Sequence, residues 1–466
     1  MSITHKLERA AMSKEVDYIL RYINKDREKN LLHLVDVVEK FAGDMFQDKS
    51  YEGVRQAIQD SDGKWMNYVN QLLDEIHPNV LKTTVMNLGY EAAFHGTKTI
   101  RKMREKHQCN IPWVMLIDPT SACNLRCTGC WAAEYGHNMS LSYEQIDNII
   151  TQGKELGIYF YMYTGGEPLM RKKDLIRLCR KHNDCAFHAF TNGTLVDDAF
   201  CEEMEEVGNL SLSLSLEGFE EVNDSRRGEG VFKKVLQAMD ILKRHGQIFG
   251  TSICYTRANV ETVTSDEFLD MIIAHGCRYS WYFHYMPVGN SAVTDLIPTI
   301  EQREYMYHRV REVRGKTGGK PIFLMDFQND GEFVGGCVAG GRNYLHINAN
   351  GDVEPCVFIH YSNANIKDVS LLDALKQPIF MAYRDHQPFN ENHLRPCPML
   401  ENPEMLERIV NETHAKPTDF QSKEEVASLC AKCHTYSEEW AKKAEELWAE
   451  NPHHYLYYEN YKNKKK

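Results

Sequence analysis

The chain has 466 residues, with 54 Lys and Arg against 66 Asp and Glu and a formal net charge of −12. That length supports a large core divided among two or three domains, and the acidic balance argues against a surface built to hold nucleic acid. No segment approaches the ~20 consecutive apolar residues of a membrane span, and the polar start Met1–Ala11 lacks the apolar core of a secretory signal. With fourteen cysteines and no such signal, a reducing, cytoplasmic compartment is expected, where clustered thiols hold metals rather than disulfides.

Residues 1–108 read as a helical region. Apolar residues recur at three and four spacing, as at Leu31, Leu32, Leu34, Val35, Val38 and Phe41. Pro78 opens a further helix through Leu81, Val85, Leu88, Tyr90, Ala93 and Phe94. It reaches a basic end at Lys98, Arg101, Lys102 and Arg104, which complements the helix dipole. A docked amphipathic helix is the plain reading of that end; peripheral contact with an anionic membrane is the other.

From 109 to 315 short apolar runs alternate with helical patterns. The strands are Trp113–Asp118, Tyr159–Thr164, Ala186–Phe190, Leu210–Leu216, Phe249–Tyr255 and Tyr279–His284. The helices fall near 142–156, 173–182, 197–206, 231–245 and 264–275, and Ser142 with Gln145 forms a capping box for the first. This alternation predicts an α/β fold with a mostly parallel sheet curved into a partial barrel. The site of such a fold lies at the C-terminal ends of its strands. Tyr159, Tyr161 and Tyr163 alternate along the second strand, with core packing as the default reading. Cys179, Cys185, Cys201, Cys254 and Cys277 stand alone and read as packing residues.

The first strand leads into Cys123-Asn124-Leu125-Arg126-Cys127-Thr128-Gly129-Cys130, a C-x3-C-x2-C spacing. Three thiolates can hold three irons of a [4Fe–4S] cluster, whose usual complement is four cysteines. The remaining iron is then open to a small molecule. Structural zinc is the competing reading, but zinc takes four ligands, often in two C-x2-C pairs, and no second pair lies nearby. The second strand leads into Tyr163-Thr164-Gly165-Gly166-Glu167-Pro168. Its two glycines admit a ligand to the backbone, and Glu167 can pair with an ammonium group.

These two motifs, in this order, resemble the hallmark of the radical S-adenosylmethionine (radical SAM) superfamily over about residues 111–310. The resemblance implies a partial (β/α)6 TIM-like barrel. It also implies that the open iron chelates the amino and carboxylate groups of SAM. An electron from the cluster then cleaves the S–C5′ bond, and the 5′-deoxyadenosyl radical takes a hydrogen atom from a substrate. The protein's task is orientation and exclusion of water. On the same resemblance Gly165, Gly166 and Glu167 contact the SAM amino group. Asn192, in Thr191-Asn192-Gly193, ends the third strand. Ser213, Ser215 and Glu217 line the ribose side, and Arg227 belongs to the Asp224–Gly228 segment that follows. Asn259 and Pro287-Val288-Gly289 match the ends of strands five and six. Two positions depart from the pattern: Gly129 stands where relatives carry an aromatic residue, with Trp131 after the third cysteine, and Glu217 replaces an aspartate.

Residues 316–466 carry Cys337, Cys356, Cys397, Cys430 and Cys433. The G-x4-C run Gly351–Cys356 resembles the opening of a SPASM or "twitch" auxiliary-cluster domain. A full SPASM domain has seven cysteines, including a C-x2-C-x5-C run; this chain has five here and no such run. One auxiliary [4Fe–4S] cluster is therefore expected, held by Cys337, Cys356, Cys430 and Cys433, with Cys397 a competing ligand and structural zinc the alternative. His346, His360 and His434 lie near these cysteines and His284 sits on the sixth strand, but no residue is assigned a catalytic role. Asp326, Asn329 and Asp330 are read as a loop over the substrate, and Tyr455–Lys466 as a frayed tail.

The expected activity is that of a radical SAM enzyme. Its expected partners are a reductant such as flavodoxin or ferredoxin, a peptide, small-molecule or lipid substrate, and no nucleic acid. The N-terminal helices do not read as the winged helix–turn–helix that binds peptide leaders. The rival reading is a non-catalytic iron–sulfur electron carrier or scaffold, which has no need of Gly165-Gly166-Glu167.

Overall fold

A computed structural model of the chain describes residues 3–42, 48–315 and 319–451; the Tyr455–Lys466 tail lies outside them. Its centre is a sheet built from β1 (Val114–Ile117), β2 (Phe160–Tyr163), β3 (Ala186–Thr191), β4 (Leu210–Ser215), β5 (Phe249–Tyr255) and β6 (Tyr279–His284). Each strand runs parallel to the next. The crossovers carry helices Tyr143–Glu155, Lys172–Lys181, Asp198–Val207, Val231–Arg244 and Asp266–Ala274, close to the spans that periodicity predicts. The first has its capping box: Gln145 N–H donates to Ser142 Oγ and Ser142 N–H to Gln145 Oε1.

The sheet continues past both ends of this set. A seventh strand, β7 (Phe323–Asp326), pairs parallel with β6, beyond the boundary expected at 315. At the other edge β8 (Tyr344–Ile347) pairs parallel with β1, and β9 (Val353–Glu354) returns antiparallel to it. The order is β7-β6-β5-β4-β3-β2-β1-β8-β9. Without β8, β1 would present a row of unpaired backbone groups. The cysteine-bearing C-terminal region therefore shares a sheet with the barrel.

Strand alternation decides which side chains enter the lumen. Tyr161 turns outward, its hydroxyl donating to Ile150 O and Ile158 O at 3.0 and 2.8 Å. Tyr163 stacks on Phe187, so both tyrosines pack in the helix layer. The lumen receives Phe190, Trp281 and Phe283: the last two are parallel at 6.1 Å, and Phe190 stands edge-on to each.

The N-terminal helices Ile3–Tyr22, Arg27–Ala42, Asp48–Gln59 and Lys64–Glu75 share a small core of Ile23, Leu31, Val35, Tyr51, Ile58 and Met66. The helix that opens at Pro78 is α to Thr84, a π-helix over Val85–Gly96, and α again over Thr97–His107. The π segment presents buried Glu91 to His5 Nε2 at 2.9 Å and Arg9 Nη1 at 2.6 Å. At the basic end Arg104 turns inward and donates to Ile111 O and Arg342 O, and Ile100 is buried, as in a docked helix. Among the described residues no helix is long and apolar enough to cross a membrane.

Candidate active site

Both sequence motifs emerge at the C-terminal ends of their strands, and their backbones bond to each other. Gly166 N–H donates to Thr120 O at 3.0 Å and Glu167 N–H to Ala122 O at 2.8 Å. Gly165 adopts φ +105°, and a Cβ there would lie 2.6 Å from Thr120 O; only glycine tolerates both. One pocket is lined by Cys123, Cys127, Cys130, Gly165, Gly166, Glu167, Asn192, Ser215 and Arg227. The structure thus gathers most of the residues expected there. Ser213 lies apart from that lining, fully buried and bonded to His188 Nε2. Glu217 is absent from the lining too, and acts through the arginines.

The Glu167 carboxylate accepts from Leu169 N, Thr191 Oγ1 and Asn192 N at 2.6–2.9 Å. It therefore organises the β3 turn as well as facing the pocket. Burial raises its pKa, opposed by those donors. Asn192 Nδ2 reaches Asn124 Oδ1 at 2.8 Å and ties that turn to the cysteine loop. Arg226 and Arg227 both pair with Glu217, and Arg227 Nη1 stands 4.0 Å from Cys127 Sγ. Burial opposes their charge, but the Glu217 carboxylate beside them opposes that loss, and both guanidiniums stay protonated.

The residues fit the groups that the motifs imply. Among the described residues no three His, Cys, Asp or Glu side chains converge as ligands of a single metal ion. Leu125 N–H points at Cys123 Sγ at 3.4 Å, a donor of the kind that stabilises cluster thiolates. Burial raises the Cys123 and Cys127 thiols above their ordinary range.

Several pocket residues escaped the sequence reading. At Gly129, φ +66°, a Cβ would lie 2.9 Å from the Tyr285 ring. The aromatic side chain beside the third cysteine thus comes from the end of β6. Trp131 instead turns toward His346 and Phe358. Cys254, expected to be packing, lines the pocket with Ser252, Phe283 and Met286; the even spacing of Ser252 and Cys254 on β5 was the available signal. Cys179, Cys185, Cys201 and Cys277 are buried packing residues as expected. His284 is buried, with its ring between Tyr285 O at 2.7 Å and Tyr436 Oη at 2.8 Å.

A second cavity holds Cys337, Cys356 and Cys397 together. Cys397 therefore joins this set rather than competing from outside it. Cys430 and Cys433 are buried but do not line the cavity. Burial pushes Cys337 up to about 11 and Cys356 to about 12. Met286 and Phe358 line both cavities and form part of the wall between them. Beside that wall, buried His346 sits between Asp118 and Glu354, at 2.9 and 2.6 Å. Asp326, Asn329 and Asp330 do not cover the pocket: Asn329 and Asp330 bind Arg303 and Arg314, and Asp326 is buried beside them.

Comparison with known proteins gives two family matches. Residues 117–273 match the radical SAM superfamily, and residues 337–399 match SPASM, an iron–sulfur cluster-binding domain. The second match contains Cys337, Cys356 and Cys397 and stops short of Cys430. Fe-coproporphyrin III synthase of Methanosarcina barkeri is 26% identical over 47% of this chain and 57% of its own length. Mycofactocin maturase MftC of Mycolicibacterium smegmatis is 28% identical over 51% of this chain and 62% of its own. The chain thus spans less than two thirds of either relative. The crystal structure of Streptococcus suis SuiB, 18% identical, superposes with a TM-score of 0.52 over 64% of this chain and 74% of that one, a likeness of fold.

Proposed function

We propose that this chain, which carries a radical SAM domain followed by a SPASM iron–sulfur domain, cleaves S-adenosylmethionine reductively at a [4Fe–4S] cluster held by Cys123, Cys127 and Cys130, and thereby abstracts hydrogen from a substrate. When bound, the cluster and S-adenosylmethionine supply the one-electron chemistry. The chain binds and orients them: Gly165 and Gly166 open the backbone to the methionine moiety, and Asn192, Ser215 and Arg227 line the remaining wall. The single observation that carries this reading is the backbone pairing of Gly166 and Glu167 with the cysteine loop. It sets a ligand-admitting turn against three thiols, which a simple electron relay does not require.

The inner wall of the pocket carries Leu116, Phe190, Phe283, Met286, Val357 and Phe358. Arg226 and Arg227 are paired with Glu217, and Glu167 has its own donors. This supports an uncharged, apolar hydrogen-bearing group as the part of the substrate that reacts, on a peptide or a small precursor. The relatives named as a maturase and as a Fe-coproporphyrin III synthase agree with either. Cys337, Cys356 and Cys397 of the neighbouring cavity would hold an auxiliary cluster, which would supply an electron acceptor beside the substrate, and a flavodoxin- or ferredoxin-type protein would serve as reductant.

Anaerobic reconstitution with iron and sulfide, then incubation with dithionite and S-adenosylmethionine, tests the reading. The reconstituted chain is expected to release 5′-deoxyadenosine. The Cys123→Ala/Cys127→Ala/Cys130→Ala variant is expected to release none and to bind less iron. No nucleoside from the native chain, with iron unchanged in the variant, would refute it.

A further inference from the structure

We propose that Tyr344 sets the reduction potential of the auxiliary cluster by donating its hydroxyl hydrogen to the Cys356 sulfur. The inference rests on the reading above that the Cys337–Cys356–Cys397 cavity holds that cluster. Tyr344 is the first residue of β8, in register with Val114 of β1. The residue is 4% exposed and lines the same cavity as the three cysteines. The hydroxyl donates to Cys356 Sγ.

Both its backbone and its ring are held. The parallel ladder to β1 holds the backbone, and Phe327 packs edge-on against the ring at 6.1 Å. Two residues further along, on the same strand face, His346 lies between Asp118 and Glu354. A tyrosine held this way delivers its O–H to one sulfur without reorganising when the charge on that sulfur changes. Reduction adds negative charge to a cluster and its ligand sulfurs. A hydrogen bond to such a sulfur stabilises the reduced form and raises the potential. In a buried cavity water does little to screen that interaction. The consequence reaches the first pocket, because Met286 and Phe358 line both cavities: the potential governs how readily an electron crosses from the substrate side.

The experiment is an EPR-monitored redox titration of the full chain, reconstituted anaerobically. The Cys123→Ala/Cys127→Ala/Cys130→Ala background isolates the auxiliary signal. In that background Tyr344 is compared with Tyr344→Phe and with 3-fluorotyrosine placed at 344, which keeps the shape but makes the phenol a stronger donor. The expected result is a graded shift: the potential falls in Tyr344→Phe and rises with 3-fluorotyrosine, while iron and sulfide content stay the same. Equal potentials in all three would overturn the proposal. If Tyr344→Phe loses its cluster, the comparison of tyrosine with fluorotyrosine decides, and no difference between them overturns it. A cysteine-triple background that binds no iron at all would instead refute the reading on which the proposal rests.

Discussion

A Cβ on Gly166 would lie 2.2 Å from the Ala122 carbonyl oxygen and 2.5 Å from that of Ser121. Those contacts are backbone, so nothing flexible can yield. Gly166→Ala is expected to cost about 1–3 kcal/mol of stability, as overpacking does, and to part the turn from the cysteine loop. Equilibrium binding of S-adenosylmethionine should weaken by more than tenfold. A variant that binds as the native chain does would show that the turn is not part of the site. The thiols give a second prediction. Burial raises the Cys123 and Cys127 pKa values, so both are neutral near pH 7, and a metal must displace their protons. Cluster assembly should therefore accelerate as pH rises above neutrality; iron incorporation followed against pH would expose a flat or falling profile.

His346 extends this argument to stability. Burial alone would lower its pKa, but Asp118 and Glu354 outweigh that and raise it to about 10. A folded-state pKa above the unfolded value of 6.5 means that the contribution is complete below pH 6.5 and is lost as pH rises through about 10. The urea midpoint of the native chain should fall across that window. His346→Gln should flatten the fall and cost about 3–5 kcal/mol, the usual consequence of breaking a buried charge pair. An unchanged pH profile in the variant would mean that the imidazole is neutral.

At the scale of elements, the π-helix over Val85–Gly96 and the first helix are joined by Glu91, His5 and Arg9, with Arg9 also donating to Asn87 Oδ1 at 2.8 Å. Glu91→Ala removes the buried carboxylate that the Arg9 guanidinium and the His5 ring share. The first helix should then detach, seen as faster tryptic cleavage within residues 3–22, with iron content unchanged; protection equal to the native chain would contradict this. The sequence shows why such features resist prediction. The helices at 143–155 and 231–244 are legible because their apolar spacing is local, as is the capping box of the first. The π segment is flanked by α-helix on both sides, and its contacts to the first helix are not local in sequence. β7 is four residues long and follows a glycine-rich stretch, so its pairing with β6 supplies what its sequence lacks. The outward turn of Tyr161 and Tyr163 is equally hidden, since a parallel strand is buried on both faces.

At the scale of the molecule, one sheet carries both cysteine groups. β1 delivers Cys123, Cys127 and Cys130 from its end, and β8 on its flank presents Tyr344 to the second cavity. The gathering of the first group in one pocket was legible because its three thiols lie within eight residues of one another along the chain. The division of the later five cysteines was not, because Cys397 meets Cys337 and Cys356 only through folding. The aromatic residue beside Gly129 was hidden for the same reason, since Tyr285 arrives from another strand. The central claim is that an iron left open by Cys123, Cys127 and Cys130 binds S-adenosylmethionine directly. Electron–nuclear double resonance on the reduced, reconstituted chain with S-adenosylmethionine labelled at its amino nitrogen tests this most directly. The account predicts a hyperfine coupling between that nitrogen and the cluster, abolished in the Cys123→Ala/Cys127→Ala/Cys130→Ala variant. A native chain whose cluster is reduced but shows no such coupling would contradict it.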